Sequence, residues 1–387
     1  MAAERRRRLH IVQAAAFPFP SPQGSQVYVR GMARALARRG HRVTVACYAH
    51  GVGEVDPDYD VVRTPHIPGY DNLRAGPDFV KPVLDAALAW RLARIEADIV
   101  HAHNYEAPLS AALARLRTRT PIVYCAHNTM GEELHTYFHG RLKRVMARRV
   151  GQALDLTVPR LADHAIAIHQ GAIPVLEGLG CSRVSCVPPG VDPEDVAPVQ
   201  PADLGSGPWV VYAGNPDVYQ DLDVLMEAMR LLDGRVGLLM VSASPLDHWA
   251  RHGLPRARFV VTQSYDEVRR WMAAATVAAL PRTTCTGYPI KLLNYLGMGL
   301  ATVAAEGSAR PLPGVVTVPD HDAAAMAREI EALVRHPEHR QRLGEAARSH
   351  VLQHCTWAAR ARDLEDVYFE VLDQRGGRGV RRDSQPV

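Results

Sequence analysis

Short apolar runs alternate with amphipathic stretches through the first half of the chain. The runs predict buried strands at residues 9–16, 41–48, 98–103, 121–126, 162–168 and 184–187. Between them, apolar positions at helical spacing predict helices at residues 27–39, 84–95, 107–117 and 174–179. The segment 50–80, rich in Pro, Gly and Asp, is predicted to form loops. This strand–helix–strand order is typical of a parallel sheet with right-handed crossovers.

The same alternation restarts after a proline-rich stretch at residues 188–208, which we interpret as a domain boundary. The second half has predicted strands at residues 209–213, 236–241, 258–261, 276–280 and 302–304. Its predicted helices cover residues 221–232, 266–274, 323–334, 337–354 and 358–372. The pattern therefore predicts an α/β protein with two Rossmann-like parallel-sheet domains, followed by a disordered tail at 374–387.

Composition fits two ordinary globular domains, since 387 residues exceed one typical core and 47% of them are apolar. Arg5 to Arg8 resemble the start of a signal peptide, but Pro18 and Pro20 break the apolar run that follows, which favours a first strand. Six scattered cysteines without metal-ligand spacing indicate a reducing compartment, so we expect a cytoplasmic protein. A net charge of +4 suits acidic ligands such as nucleotide phosphates or anionic lipid, without requiring nucleic acid.

The strongest chemical signal is a strand, a polar glycine-containing turn and a helix at residues 276–299. Pro289 is expected in the first helical turn, where its missing N–H costs nothing. The free N–H groups and positive dipole end of such a helix bind anions, and Lys291 adds a full charge. We therefore predict a diphosphate site here. The alternative is a plain helix start with Lys291 as a surface lysine.

Three predicted strand ends in the first half carry polar or glycine residues. They are Gly24 with Ser25, His103 with Asn104 and Glu106, and His127 with Asn128. Ligands gather at the carboxyl ends of strands in open parallel sheets, so these groups are candidates for one site. The i, i+2 spacing of His101 and His103 also allows metal binding, but no cysteine or carboxylate lies at a supporting interval. His127 has a purely structural role as its alternative.

A predicted amphipathic helix lies in a segment that has no acidic residue between Glu133 and Asp155. Its basic residues are Arg141, Lys143, Arg144, Arg148 and Arg149. An opposite, apolar face is formed by Leu142, Val145, Met146, Val150 and Ala153. The basic residues form either a solvated surface or a docking site for an anionic membrane, where each cation contributes about 1 kcal/mol.

Several short sequence motifs, and the order in which they occur over residues 9–372, resemble the large group of retaining glycosyltransferases known as family four. The motifs are Pro22-Gln23-Gly24-Ser25, Arg39-Gly40-His41, the strand ends at His103 and His127, Val187-Pro188-Pro189-Gly190-Val191-Asp192, and Cys355-Thr356-Trp357. The resemblance implies a GT-B fold, in which two Rossmann-like domains face a central cleft. It implies an acceptor-side domain at 1–193, a nucleotide-sugar-binding domain at 194–357 and a helix at 358–373 that crosses back to the first domain.

In that family two glutamates eight residues apart usually bind the donor, and here those positions are Thr286 and Asn294. The family's Arg–Lys pair is also replaced, by Asn215 and Gln220. The resemblance therefore leaves Lys291, without a metal, to stabilise the leaving diphosphate. The implied catalytic residues are His127 and Lys291, and Glu106 is the second choice as a base. The implied substrate-binding residues are Gly24, Ser25, His103, Asn104, Glu106, Asn128, Gly214, Asn215, Gln220, Thr286, Gly287, Tyr288, Pro289, Ile290 and Asn294.

The implied activity is transfer of a sugar, with retention, from a nucleotide-diphosphate sugar to an acceptor such as a lipid-linked glycan or cell-envelope glycoconjugate. The basic helix adds an expectation of peripheral attachment to the inner face of a membrane. The alternatives are a non-catalytic GT-B subunit and a sugar-nucleotide epimerase or hydrolase. A dinucleotide oxidoreductase is disfavoured because neither half contains Gly-x-Gly-x-x-Gly. The base, the sugar and the acceptor stay open.

Overall fold

The computed structural model describes the backbone of residues 7–380, apart from residues 22, 73–75, 77 and 286, and side chains as far as residue 375. The chain forms two compact units. The first unit comprises residues 1–189 and 357–387, and the second comprises residues 190–356. The change from one unit to the other at Gly190 lies within the predicted proline-rich boundary.

The first unit is built on a seven-stranded parallel sheet in the order β3-β2-β1-β4-β5-β6-β7. Its strands are β1 His10–Ala15, β2 Arg42–Cys47, β3 Asp60–Arg63, β4 Ile99–His103, β5 Ile122–Ala126, β6 His164–Ala167 and β7 Val184–Cys186. Its first six helices are α1 Gly24–Arg38, α2 Lys81–Leu92, α3 Glu106–Thr118, α4 Met130–Glu133, α5 Arg141–Thr157 and α6 Ile173–Gly178. One face of the sheet packs on α2 and α3 through a core that includes Val12, Val100 and Leu88.

The second unit is a six-stranded parallel sheet in the order β10-β9-β8-β11-β12-β13. Its strands are β8 Trp209–Ala213, β9 Gly237–Ser242, β10 Ala257–Val261, β11 Val277–Leu280, β12 Thr302–Ala305 and β13 Val315–Val318. Its helices are α7 Leu222–Leu231, α8 Asp247–Ala250, α9 Tyr265–Ala273, α10 Ile290–Gly297, α11 Ala323–Arg335 and α12 Pro337–His354. Its main core lies between the sheet and α7 and α11, with Met226, Leu238 and Ile330 at its centre.

The last helix, α13 Trp357–Val380, belongs to the first unit. A Cβ on Gly31 of α1 would lie 2.2 Å from the Trp357 ring, so only glycine allows this close packing. Glu365 of α13 accepts hydrogen bonds from Arg39 at 2.6 Å and from His41 at 2.9 Å. The helix extends past its predicted end at residue 373, and residues 381–387 of the predicted tail lie outside the described part of the chain.

Two strands of the structure were not predicted from the sequence. The segment 50–80, predicted to be loop, contains β3, and β13 was also missed. Both are four-residue edge strands with mostly half-exposed side chains, so neither forms the continuous apolar run that marked the central strands. Among the described residues, no helix is both long and apolar enough to cross a bilayer.

Candidate functional site

Lys291 of the second unit lies where the start of α10 meets the loop after β8. Its ammonium group donates to the Tyr212 hydroxyl at 2.8 Å and to Gln220 Oε1 at 3.0 Å. It also lies 4.4 Å from the centre of the Tyr212 ring. A Cβ on Gly214 would be 2.6 Å from Lys291 Nζ, so the glycine makes room for the ammonium group. Three predicted residues from two separate segments of the chain, Gly214 with Gln220 and Lys291, thus lie together.

The charge of Lys291 is poorly compensated. Burial, and to a lesser extent the nearby positive charge of Arg282, lowers the pKa of its ammonium group to about 7. Arg282, in the loop after β11, donates from Nε to the Thr284 carbonyl at 2.6 Å, and its guanidinium lies 4.8 Å from the centre of the Tyr219 ring. Asp217 acts on Lys291 from a distance and raises its pKa. Among the described side chains, no carboxylate forms an ion pair with either cation.

The loop between β11 and α10 is held by three contacts that the sequence analysis did not identify. Asp221, with a left-handed φ of +51°, accepts hydrogen bonds from the N–H and hydroxyl of Thr283 at 2.8 and 2.7 Å. A Cβ on Gly307 would come within 1.5 Å of the Thr283 carbonyl oxygen. Arg310 donates to the Gly287 carbonyl at 2.7 Å. The loop that presents Arg282 is therefore fixed from both sides.

The other predicted residues of the second unit have varied positions. Asn215 bonds within its own loop, accepting from Gln220 at 3.0 Å and donating to the Tyr219 hydroxyl at 2.7 Å. Pro289 is the residue before the helix, with ψ of 88°, so its predicted place inside the first turn is wrong; α10 begins at Ile290. Tyr288, Ile290 and Asn294, which are close to Lys291 in the sequence, have half-buried side chains. Thr286 lies outside the described residues.

A chain of buried histidines lies at the carboxyl ends of β4 and β5 in the first unit. His103 Nδ1 is 3.1 Å from His127 Nε2, and His103 Nε2 is 2.6 Å from Gln13 Oε1. His101 Nδ1 is 2.7 Å from the Tyr368 hydroxyl, which Gln13 Nε2 also contacts at 3.5 Å. Strand register causes this convergence, because Gln13 pairs with His101 in the neighbouring strand. Helix α13 closes the network through Tyr368.

Burial keeps these histidines neutral. It lowers the pKa of His101 to about 3, that of His127 to about 4, and that of His103 well below its usual range. With Gln13 Oε1 as an acceptor, His103 carries its proton on Nε2, so its Nδ1 accepts from His127 Nε2–H. The second nitrogen of His127, Nδ1, is then a hydrogen-bond acceptor. His127 can therefore orient a hydroxyl group without carrying charge.

His101, His103 and Cys125 place ligand atoms within 4.8 Å of one another, a grouping with Cys125 that spacing alone did not suggest. All three are fully buried. Both nitrogens of His103 and Nδ1 of His101 already take part in hydrogen bonds. Burial also raises the pKa of the Cys125 thiol, which disfavours the thiolate that a metal needs. These contacts fit a packed polar core better than a metal site.

The remaining candidate residues of the first unit have different surroundings. Ser25 donates to Asn104 Oδ1 at 3.4 Å, and Gly24 begins α1 beside it with open space at its Cβ position. Glu106, at the start of α3, interacts instead with Asp85, and its charge helps burial raise the pKa of that carboxyl to about 6. The Asn128 carbonyl accepts from Tyr105 at 3.1 Å. No described contact joins Glu106 to His127, so its role as a base has no direct geometric support.

Helix α5 packs through residues that belong to neither of the two faces described from the sequence. Its buried stripe is Ala147, Gly151 and Asp155. Asp155 accepts from the N–H groups of Met130 and Gly131, both at 2.8 Å, and a Cβ on Gly151 would be 2.3 Å from the Met130 carbonyl oxygen. The predicted apolar face is exposed to solvent, as are all the basic residues: Arg141, Leu142, Lys143, Arg144, Val145, Met146, Arg148, Arg149, Val150 and Ala153. Both faces of the predicted amphipathic helix are therefore open to solvent, and α5 packs through a narrow stripe of small residues and Asp155.

Comparison with known proteins agrees with this geometry. The sequence profile of Glycosyltransferase Family 4 matches residues 22–195, and that of Glycosyl transferases group 1 matches residues 207–336. The chain belongs to the glycosyltransferases of the family-four type, with the GT-B fold of two Rossmann-like domains. It is accordingly an enzyme that transfers a sugar from a nucleotide-sugar donor.

Two curated relatives match most of the chain. A D-inositol 3-phosphate glycosyltransferase of Xylanimonas cellulosilytica is 26% identical over 92% of this chain and 93% of its own. A phosphatidyl-myo-inositol mannosyltransferase of Mycobacterium tuberculosis is 27% identical over 92% of this chain and 95% of its own.

Two solved structures share the fold. Sucrose-phosphate synthase of Thermosynechococcus elongatus has a TM-score of 0.78 and 18% identity, over 95% of this chain and all of its own. Anabaena Alr3699/HepE, solved in complex with UDP and glucose, has a TM-score of 0.70 and 15% identity, over 94% of this chain and all of its own.

Proposed function

We propose that the second unit binds the diphosphate of a nucleotide-sugar through Lys291 and that the sugar is transferred with retention of configuration. The observation that supports this most is a partly buried ammonium group at the start of α10, beside a second cation and without a carboxylate ion pair. Because no carboxylate neutralises the Lys291 ammonium group, an anion that enters the site can form a charge-assisted hydrogen bond with it. The family, and the UDP bound by one structural neighbour, favour a nucleotide-diphosphate sugar.

In the proposed mechanism, negative charge develops on the diphosphate as the bond to the sugar breaks, and Lys291 stabilises it. The acceptor hydroxyl loses its proton to the leaving phosphate rather than to a protein base. His127 accepts a hydrogen bond through Nδ1 and orients the acceptor or the transferred sugar. We propose that no metal is required, since Lys291 and the positive end of α10 supply the charge that a divalent ion would provide.

A thermal-shift panel tests the donor site. The panel comprises UDP, GDP, ADP and their sugars, applied to the wild type and to Lys291→Ala with EDTA present. A ligand at 100 times its dissociation constant should stabilise the protein by about 2.7 kcal/mol. We expect one nucleotide to raise Tm in the wild type and to have no effect on the variant. The alternatives, a non-catalytic subunit and a hydrolase or epimerase, are separated by assaying the identified donor without acceptor.

We also propose that the acceptor is carried at an anionic membrane and that α5 docks there. Leu142 and Met146 on its outer face are 74% and 60% exposed. Its acidic residue, Asp155, is buried, so every exposed charge of the helix is positive. An exposed apolar face flanked by cations is the pattern of helices that lie in a membrane interface. One of the relatives is named for phosphatidyl-myo-inositol, a membrane lipid.

The neighbouring helix α3 extends this surface. Both helices connect strands that follow one another in the same direction across the sheet, β4 to β5 to β6, so right-handed crossovers place them on the same side. Leu113 and Leu116 of α3 are 59% and 84% exposed. The exposed apolar area on this side of the sheet is thus larger than the area that α5 contributes by itself.

Vesicle co-sedimentation at low salt tests the docking. Changing Arg141, Arg144 and Arg148 together to Glu should abolish binding to vesicles containing anionic lipid, since three attractive charges become repulsive. A matched control changes three exposed arginines of the second unit, Arg251, Arg258 and Arg342, to Glu, with the same change in net charge. Equal loss in both variants would indicate a general effect of charge. Undiminished binding of the first variant would refute the role of α5.

A further inference from the structure

The loop after β8 supplies no cation to the donor site. Between Gly214 and Asp221 its charged residues are Asp217 and Asp221, and Asp221 already holds Thr283. A diphosphate carries at least two negative charges, and Lys291 compensates one of them. A second full positive charge would come from another part of the unit, and the cation whose charge acts on Lys291 is Arg282.

We infer that Arg282 is a second phosphate-binding residue, which holds one phosphate of the donor while Lys291 holds the other. This inference rests on the donor site proposed above. Arg282 lies two residues after the end of β11, at the carboxyl edge of the sheet, where parallel sheets bind ligands. Its planar guanidinium presents paired N–H groups that match a phosphate better than an ammonium does.

The position of Arg282 is set before any ligand arrives. Its Nε donates to the Thr284 carbonyl and its guanidinium lies over the Tyr219 ring. Asp221 and Gly307 fix the adjacent Thr283, so the backbone under Arg282 cannot easily shift. An ordered side chain loses less entropy on binding, and that increases affinity.

The proximity of Arg282 and Lys291 has an electrostatic cost in the free protein. Two like charges repel each other, and in this pair the repulsion lowers the pKa of Lys291. An anion between them would turn repulsion into two attractions. The surrounding charges that act on Lys291 are Arg282 and Asp217, with Cys285 as a further titratable group, so the pair is not neutralised by its own neighbourhood.

Isothermal titration with the nucleoside diphosphate found in the thermal-shift panel, and with the matching nucleoside, tests Arg282. Arg282→Ala should weaken diphosphate binding by about ten- to a hundredfold, the usual loss for one charge-assisted hydrogen-bonded contact, and should leave nucleoside binding unchanged. Arg282→Lys should be intermediate because it keeps the charge but not the paired geometry.

The matched control is Arg258→Ala. Arg258 lies over the Trp271 ring at 4.8 Å, the same distance as Arg282 over Tyr219, but its stacking partner lies on α9. Diphosphate binding within twofold of wild type in Arg282→Ala, together with a loss in Lys291→Ala, would overturn the inference and leave the donor site standing. Failure of every nucleotide to bind the wild type would overturn both. If Arg282→Ala does not fold, Arg282→Gln takes its place with the same criteria.

Discussion

The two units share a parallel-sheet plan but place opposite chemistry at the carboxyl ends of their strands. In the first unit, neutral histidines bond to one another and to Gln13 and Tyr368. In the second unit, the positive charge of Arg282 acts on Lys291, and no carboxylate of the described residues forms an ion pair with either. From this difference we infer that the second unit binds charge, while the first orients uncharged groups.

Their surfaces differ as well. The first unit exposes large apolar side chains on neighbouring helices, including Leu116 at 84% and Leu142 at 74%. In the second unit the most exposed large apolar residue described is Val218 at 94%, in the short loop before α7. The other exposed large apolar residues described in this unit, Tyr219, Leu231, Val261 and Tyr265, are distributed over different elements. Apolar exposure along a helix face marks an interaction surface, whereas scattered exposed residues do not.

The largest expected effect comes from removing the charge at the donor site. Lys291→Met keeps the length and apolar part of the side chain but deletes the ammonium group. We expect kcat to fall by about 10²–10³-fold, as when a donor to developing negative charge is lost. Steady-state assays with the donor identified in the panel measure it. A decrease below threefold would mean that Lys291 does not contact the leaving group.

A second change disturbs the same site through packing alone. Gly307→Ala would push the backbone at Thr283, because the new Cβ would lie 1.5 Å from its carbonyl oxygen. Since misplacement of a site by about 1 Å can cost about 100-fold, we expect a large loss of kcat/KM. Gly178→Ala in the first unit, where nothing lies within 4 Å of the new Cβ, is the control. Similar losses in both variants would contradict the special role of Gly307.

The stability of the two units should depend on pH in different ranges. His101 and His127 have folded-state pKa values of about 3 and 4, below the ordinary 6.5, so the unfolded chain binds more protons and stability falls as pH drops from 6.5 to 4. Each such histidine contributes up to about 1.4 kcal/mol per pH unit in that window. Hydrogen exchange of β4 and β5 should therefore speed up more on acidification than exchange of β8 and β11. Equal sensitivity would contradict neutral, buried histidines.

Lys291 gives the same sign at higher pH in the second unit. Its folded pKa of about 7 lies below the ordinary 10.5, so the unfolded chain binds more protons between pH 7 and 10.5 and stability rises with pH. Exchange of β8 amides should slow between pH 7 and 9 once the intrinsic rate is corrected for, and Lys291→Met should remove this change. A pH effect that persists in Lys291→Met would assign it to another group.

Much of the fold followed from apolar periodicity, because central parallel strands are continuous apolar runs. The same signal predicted helix α5 but did not show which residues of it pack against the rest of the unit. Periodicity identifies which residues are apolar, but α5 packs on the backbone of α4, where only Ala147, Gly151 and a capping Asp155 fit. Small residues and backbone approach leave almost no trace in a hydrophobic pattern.

The candidate site was predictable in part for a similar reason. Gly214, Gln220 and Lys291 lie in segments that contain recognisable sequence motifs, and their side chains or backbone meet at one place in the structure. Asp221 and Arg282 lie in the same segments but were not selected, because their roles arise from contacts made in the folded chain. For Arg282, the available signal was a cation two residues after a buried strand, in a unit whose loop after β8 carries only acidic charges.

The central claim is that Lys291 receives the diphosphate as a cation. Titration calorimetry of a nucleotide-sugar at pH 8, in buffers of different ionisation enthalpy, counts the protons taken up on binding. A nucleotide-sugar is suitable because it lacks the terminal phosphate whose second pKa lies near 6. With a free pKa of about 7, Lys291 is mostly neutral at pH 8 and should gain close to one proton as the donor binds, whereas Lys291→Met should gain none. Binding by the wild type without proton uptake would contradict the claim.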